Sequence, residues 1–231
     1  MAQQNKPVIW RAIVQMVIVV LVAPFLPMII SGDWGWWEAW AYLAINVLGF
    51  FISRLLAAKR NPGILQERAR YLDHKDIKAW DRTLAFLLGI GGVFIQVTPG
   101  LERLFGGTSY SLAMRLTGLA LLILGNFWTS YALVKNRFFS GVVRIQRERG
   151  QQVVSDGPYA VMRHPGYAGA LLLYLGIPLL LESWWSWVPV VYTAAVMVVR
   201  TRLEDRTLQE ELEGYRDYAR RVRYRLIPGL W

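Results

Sequence analysis

Six long apolar runs constrain this chain more than any other feature: residues 8–30, 40–58, 80–97, 112–134, 167–181 and 184–199. A helix needs about 20 mostly apolar residues to cross the hydrocarbon of a bilayer. The first four runs satisfy that, while the last two are shorter and suit either a tight crossing hairpin or a re-entrant pair. The expectation is an all-α integral membrane protein with five to six transmembrane helices. The first run lacks a small-x-small cleavage site and carries Pro24 and Pro27 at its end, so it reads as a retained span rather than a signal peptide. A chain of 231 residues is enough for one domain. Residues 1–231 are therefore expected to form a single membrane domain, with a four-helix part over 8–134 and a polar, chemically dense part over 135–231.

A net charge of +10 is compatible with nucleic-acid binding, but its distribution is not. With six spans and an inner N-terminus, 24 of the 26 Lys and Arg fall on one side; only Arg103 and Arg115 lie near outer ends. This is the positive-inside pattern of a membrane protein. The outer turns carry tryptophan instead, at Trp34, Trp36, Trp37, Trp184, Trp185 and Trp187, as expected at a membrane–water interface. The expected location is a bacterial inner membrane, with both termini cytosolic. The basic excess sets topology and is suited to anionic lipid headgroups. No nucleic-acid partner and no obligate protein partner are implied. Asp33 and Glu38 read as solvated residues of the first outer turn.

The chain has no cysteine, which excludes disulfides, thiolate metal sites and cysteine nucleophiles. His74 has no ligand-spaced companion, so no metal is expected. It reads as a solvated residue of the first inner loop. There Ile64, Leu65, Ala69 and Leu72 recur at helical spacing and suggest an interfacial amphipathic helix. Gly89, Gly91, Gly92, Gly118 and Gly125 lie within spans and are read as places where helices approach closely.

The second inner loop, residues 135–165, is the dense one. It holds Asn136, Gln146, Gln151 and Gln152, a short Val153-Val154 stretch suited to extended structure, and an Asp156-Gly157-Pro158 turn. Arg163-His164-Pro165 then opens the next apolar run. Proline at a first helical position is favourable, and the same turn presents free N–H groups that suit an anion. After Arg200 the chain becomes amphipathic. Leu208, Leu212, Tyr215, Ala219 and Val222 fall on one helical stripe, expected to end before Pro228-Gly229. Taken singly, Arg200 and Glu204 have an ordinary explanation as an i, i+4 ion pair, and His164 as a helix cap.

Together these residues make a pattern. Gly157-Pro158-Tyr159, Arg163-His164-Pro165-Gly166-Tyr167, Gly169, Arg200, Glu204-Asp205, Leu208, Gly214-Tyr215 and Tyr218 resemble the isoprenylcysteine carboxyl methyltransferase family, with its phospholipid N-methyltransferase relatives, over roughly residues 136–228. The resemblance implies S-adenosylmethionine as methyl donor, in a cytosolic pocket formed by the inner loop and the C-terminal amphipathic helix. The family's cofactor positions map onto Gln146, Gln151, Gln152, Val153, Val154, Tyr159, His164, Pro165, Gly166, Tyr167 and Glu204. Its substrate-contacting arginine maps onto Arg200, with Asn136 or Arg163 expected nearby. The family's acidic pair often reads Glu-Glu. Here it is Glu204-Asp205, and the shorter second residue is expected to matter little.

The chemistry is consistent. A carboxylate acceptor meeting a sulfonium cancels two charges, so a dry, well-aligned site needs no general base. An amine would have to arrive neutral, and no convincing base is present. The expected activity is methyl transfer to a lipophilic small molecule. A membrane reductase of the steroid-reductase type using NADPH, and a lipid-binding or transport protein, remain as alternatives. The near absence of ionisable residues inside the spans weighs against the transporter.

Overall fold

The computed structural model describes residues 20, 22–64, 67, 74 and 76–231. Most of the first apolar run, with Lys6 and Arg11, lies outside the described residues, as do Leu65, Ala69 and Leu72 of the interfacial-helix expectation. All regular structure among the described residues is helical: α1 (Leu26–Ser31), α2 (Trp37–Arg60), α3 (Ala79–Leu104), α4 (Leu112–Lys135), α5 (Pro165–Leu180), α6 (Trp187–Glu211) and α7 (Tyr215–Arg221). No strand forms at Val153-Val154.

Helices α2, α3 and α4 have 24, 26 and 24 residues and are long and apolar enough to span a bilayer. Their ends carry matching charge: Glu38 and Asp81 lie in first turns, Lys59, Arg60, Arg103 and Lys135 in last turns. Ser111 caps α4 by accepting a bond from the Met114 N–H at 3.3 Å. Leu48, Phe51, Ile52 and Leu55 on α2, Phe86 and Phe94 on α3, and Ile123, Leu124 and Phe127 on α4 are exposed. Such a surface is unfavourable in water and natural against lipid tails. Helix α5 has 16 residues, about 24 Å at 1.5 Å per residue, less than the ~30 Å of hydrocarbon.

Helix α6 departs from expectation. It runs unbroken from Trp187 to Glu211, so the last apolar run and the Arg200 cluster share one rod. The amphipathic stripe is instead interrupted: Gly214 takes φ 77°, and α7 begins afresh at Tyr215. The stripe residues still pack together, with Leu212, Tyr215 and Tyr218 joining Tyr159 and Ala132 in one cluster beside Leu208, Ala219 and Val222.

Helices α4 and α5 touch backbone to backbone. A Cβ on Gly118 would meet the Leu180 nitrogen at 2.4 Å, and one on Gly125 would meet the Gly169 oxygen at 2.7 Å. Gly169 and Gly176 answer from α5, so two glycines seven apart on each helix make one close seam. Gly91 likewise admits Thr193 of α6, whereas Gly89 and Gly92 meet nothing described within 4 Å.

The far end of the bundle, opposite the long polar loop, is closed by charge. Glu38 is buried and bonded by Arg115 at 2.6 Å, and Asp33 by Arg103 at 2.8 Å. Glu102 accepts from Ser183 (2.6 Å), the Trp185 N–H (2.9 Å) and Thr108 (3.1 Å). Glu182 accepts from the Tyr110 N–H at 2.9 Å. Glu38 is therefore not a solvated turn residue; three helix ends converge on this point and desolvate it. Trp34, Trp37, Trp40, Trp184 and Trp185 remain exposed around it.

Candidate active site

At the polar-loop end, a cavity of about 320 Å³ opens between the loop, the start of α5 and the middle of α6. Of the sequence-predicted residues, Asn136, Gln146, Gln151, Gln152, Val153, Val154, Tyr159, Arg163, His164, Gly166, Tyr167, Arg200 and Glu204 line it; Pro165 does not. Pro165 instead occupies the first position of α5, where its missing N–H costs nothing. Its contribution is the direction of the helix that brings Gly166 and Tyr167 to the wall. Deeper lining comes from Leu88, Ala170, Tyr174 and Met197. These are apolar or aromatic and lie on the membrane side of Asp81, Tyr167 and Arg200 along α3, α5 and α6. The cavity is thus polar at its loop end and apolar at its inner end.

Glu204 and Tyr167 face each other, the phenol donating to Oε2 at 2.5 Å. Asn136 caps the end of α4 with its backbone N–H, which donates to the Ala132 carbonyl, while its side-chain Nδ2 donates to the Tyr159 hydroxyl at 3.2 Å and its Oδ1 accepts from the Phe138 N–H at 2.8 Å. Burial pushes the Tyr159 phenol well above its ordinary pKa, against the Asn136 bond, so it stays a protonated donor. Gln146 is buried and shapes the loop. Its Nε2 donates to the Phe138 carbonyl at 2.7 Å, its N–H to Gln151 Oε1 at 2.7 Å, and its own Oε1 accepts from Arg149. Among the described residues, no hydrogen bond engages the backbone of residues 152–154, which leaves a strip of donors and acceptors along the wall.

Asp205 is the node of the site. Fully buried, it accepts from Arg163 through Nε (2.6 Å) and Nη2 (2.9 Å), from Gln209 (2.9 Å), Tyr215 (3.1 Å) and Arg225 (2.9 Å), with His164 Nε2 at 3.3 Å. Burial alone would raise its pKa, but the His164 and Arg163 bonds outweigh that and hold the carboxyl well below its ordinary range. Arg163 also donates through Nη1 to the Val222 and Arg223 carbonyls at 2.7 and 2.9 Å. Its guanidinium thereby joins α6, the loop and the chain after α7, and the residue also lines the cavity. His164 does not cap α5 with its side chain; it stacks on Tyr167 with ring centroids 5.9 Å apart and points at Asp205. The backbone completes the clamp: the Arg163 and His164 N–H groups donate to the Tyr224 and Arg225 carbonyls at 2.9 Å.

Arg200 does not pair with Glu204. It makes a two-pronged bond to Asp81 at the start of α3, Nε at 2.7 Å and Nη2 at 3.1 Å, and donates to the Gly141 carbonyl at 2.9 Å. Asp81 is fully buried and also accepts from the Val143 N–H at 2.7 Å. The guanidinium carbon stands 5.5 Å from the centre of the Tyr167 ring. This places Arg200 at the boundary between the polar and apolar ends of the cavity.

The stretch from α4 to the end of α6, which carries most of the site, is also the one that a known family matches. The phospholipid methyltransferase family matches residues 113–213. Protein-S-isoprenylcysteine O-methyltransferase B of Arabidopsis thaliana is 31% identical over 149 residues, covering 60% of this chain and 70% of that protein. The chain belongs to the isoprenylcysteine carboxyl methyltransferase family. A probable member from Oryza sativa subsp. indica is 30% identical over 113 residues, 46% of this chain and 56% of that protein. The delta(14)-sterol reductase of Mus musculus is 33% identical over 95 residues, 40% of this chain but only 23% of the reductase. The protein is an integral-membrane methyltransferase.

In this methyltransferase, sequence reasoning overlooked two carboxylates. For Asp205 the expectation covers only its shorter length against a glutamate and gives it no role, whereas the structure surrounds it with Arg163, His164, Gln209, Tyr215 and Arg225. Asp81 left no comparable signal. It lies among the charges of the first inner loop, and only the packing of α3 on α6 gives it to Arg200.

Proposed function

We propose that the cavity binds S-adenosylmethionine and a lipophilic acceptor carrying a carboxylate, of the isoprenylcysteine type. The observation that carries this is the two-ended cavity, with Arg200 and Tyr167 at its waist. The residues present fit the cofactor. Glu204 offers a carboxylate to a cationic or amino group, the 152–154 backbone and the Asn136–Tyr159 pair offer hydrogen bonds to a nucleoside, and Tyr167 offers an aromatic face. When bound, the cofactor supplies an electrophilic methyl on a sulfonium, and transfer to a carboxylate cancels two opposite charges.

The protein's own share is positioning and exclusion of water. Asp81 and Gly141 hold the Arg200 guanidinium in one orientation, leaving it to orient an anion from one side. Positioning of this kind can supply roughly 7–11 kcal/mol of a barrier. The apolar residues Leu88, Ala170 and Met197 suit a hydrocarbon chain behind the acceptor's reactive end. No side chain has to accept a proton.

Calorimetry in lipid nanodiscs tests the reading. Wild-type protein should bind S-adenosylmethionine, Glu204→Gln should weaken it about tenfold through loss of a charged partner, and NADPH should not bind. Binding of NADPH, or of neither ligand, would replace this proposal with the reductase alternative or remove it.

A further inference from the structure

A second hollow, of about 340 Å³, lies on the other side of Phe138 and is lined by Arg60, Asn61, Pro62, Arg137, Phe138 and Arg149. Its three arginines come from three separate places. Arg60 is the last residue of α2, Arg137 follows the residue that ends α4, and Arg149 closes the short turn Arg147–Arg149. No carboxylate lines the hollow among the described residues. The guanidinium carbons of Arg137 and Arg149 stand 4.6 and 5.6 Å from the centre of one ring, that of Phe138. Arg149 is aimed by Gln146 Oε1 and by the Arg137 carbonyl, the latter at 2.8 Å. Asn61 braces the opposite wall by donating to the Val134 carbonyl at 2.9 Å. Asp156 feels the charge of Arg60 but is bonded by Lys135 at 2.5 Å.

Three like charges around one concavity repel one another unless an anion sits between them, and guanidinium forks match phosphate oxygens. Arg60 and Arg137 stand at the ends of two membrane-length helices, which is the level of lipid headgroups. We infer that this hollow binds a phosphate group, supplied by an anionic lipid headgroup at the membrane edge. Because Phe138 lines both hollows, and Gln146, which accepts from Arg149, lines the main cavity, the bound headgroup braces the wall of the candidate active site from outside.

The test is native mass spectrometry of the purified full chain titrated with phosphatidylglycerol and, separately, phosphatidylcholine. Melting points with and without inorganic phosphate are recorded in parallel. At about 1 kcal/mol per basic residue near a membrane surface, the Arg60→Gln/Arg137→Gln variant should hold phosphatidylglycerol about thirtyfold more weakly than wild type. Arg60→Gln alone, at an exposed side chain that leaves the loop intact, should lose about fivefold. Arg206→Gln, an exposed arginine paired with Glu210 on α6, should match wild type. If inorganic phosphate raises the wild-type melting point but not that of the arginine variants, and the two lipids bind alike, the phosphate site stands and its source is a free anion. Equal phosphatidylglycerol retention and equal phosphate response in wild type and the folded Arg60→Gln variant would overturn the proposal.

Discussion

At the scale of single residues, Asp205 and Asp81 show how one carboxylate can organise a site. Each is fully buried and holds an arginine by both of its oxygens. Removing one partner of such a pair strands the other charge and costs about 3–5 kcal/mol. Asp205→Asn should therefore lower stability by that order at neutral pH. The dependence on acid follows from the depressed pKa. Its stabilisation is fully present above the ordinary value of 3.8 and is lost as pH falls below it toward the folded value. Melting curves in detergent from pH 7 to pH 3 should show the gap between wild type and Asp205→Asn constant down to about pH 4 and narrowing below it; a gap that stays constant throughout would assign the stability elsewhere. Asp81→Asn reads differently, because Asp81 touches Arg200 and not Glu204. Misplacing a positioning group by about 1 Å can cost roughly a hundredfold in rate. Methyl transfer should fall by that order while the dissociation constant for S-adenosylmethionine moves less than about threefold. Equal losses in both would make Asp81 a general scaffold residue.

At the scale of elements, the glycine seam decides how α5 stands. A Cβ at Gly169 would approach the Thr129 nitrogen at 2.7 Å and the Gly125 oxygen at 2.9 Å. Both are helix backbone, which cannot swing aside as a long side chain can. Gly169→Ala should destabilise by about 1–3 kcal/mol, the usual range for overpacking. Because α5 begins at Pro165 and carries Gly166 and Tyr167 into the cavity, the same change should weaken cofactor binding from within the seam. Thermal melting and calorimetry on one preparation check both. The glycines were legible in the sequence as sites of close approach, and Gly91, Gly118 and Gly125 are such sites. Which helix each one meets was not legible, since a spacing of seven names a face and not its partner. The same limit explains the C-terminal helix. The apolar stripe from Leu208 to Val222 is real as a packed cluster, but periodicity does not register that Gly214 turns the chain left-handed and splits the stripe between two helices.

At the scale of the whole molecule, the two ends differ in kind. The far end is shut by Glu38, Glu102 and Glu182 with Arg103 and Arg115, ringed by exposed tryptophan. The other end carries most of the basic residues, both hollows and all of the motif residues. With no cysteine in the chain, single introduced cysteines report sidedness without background. In right-side-out bacterial vesicles, Trp184→Cys should react with a membrane-impermeant maleimide and Arg206→Cys should not; inverted vesicles should reverse the pattern. The opposite labelling would overturn the orientation read from charge.

The sequence by itself determined the solvent this protein folds in, the helices that solvent requires, and the stretch where polar chemistry interrupts them. Those are properties of composition along the chain, and hydrophobic length and charge bias report them directly. Of the site residues it named, all but Pro165 line the cavity, because the motif residues lie on a few short segments; it did not name the inner lining of Leu88, Ala170, Tyr174 and Met197. The tertiary structure decided the pairings. Arg200 finds Asp81 across 119 residues and Arg163 finds Asp205 across 42. Nothing local distinguishes a carboxylate that will be buried beside a guanidinium from one left in water. That distinction is made only when α3, α6 and the polar loop close on one another and exclude the water that would otherwise have served both charges.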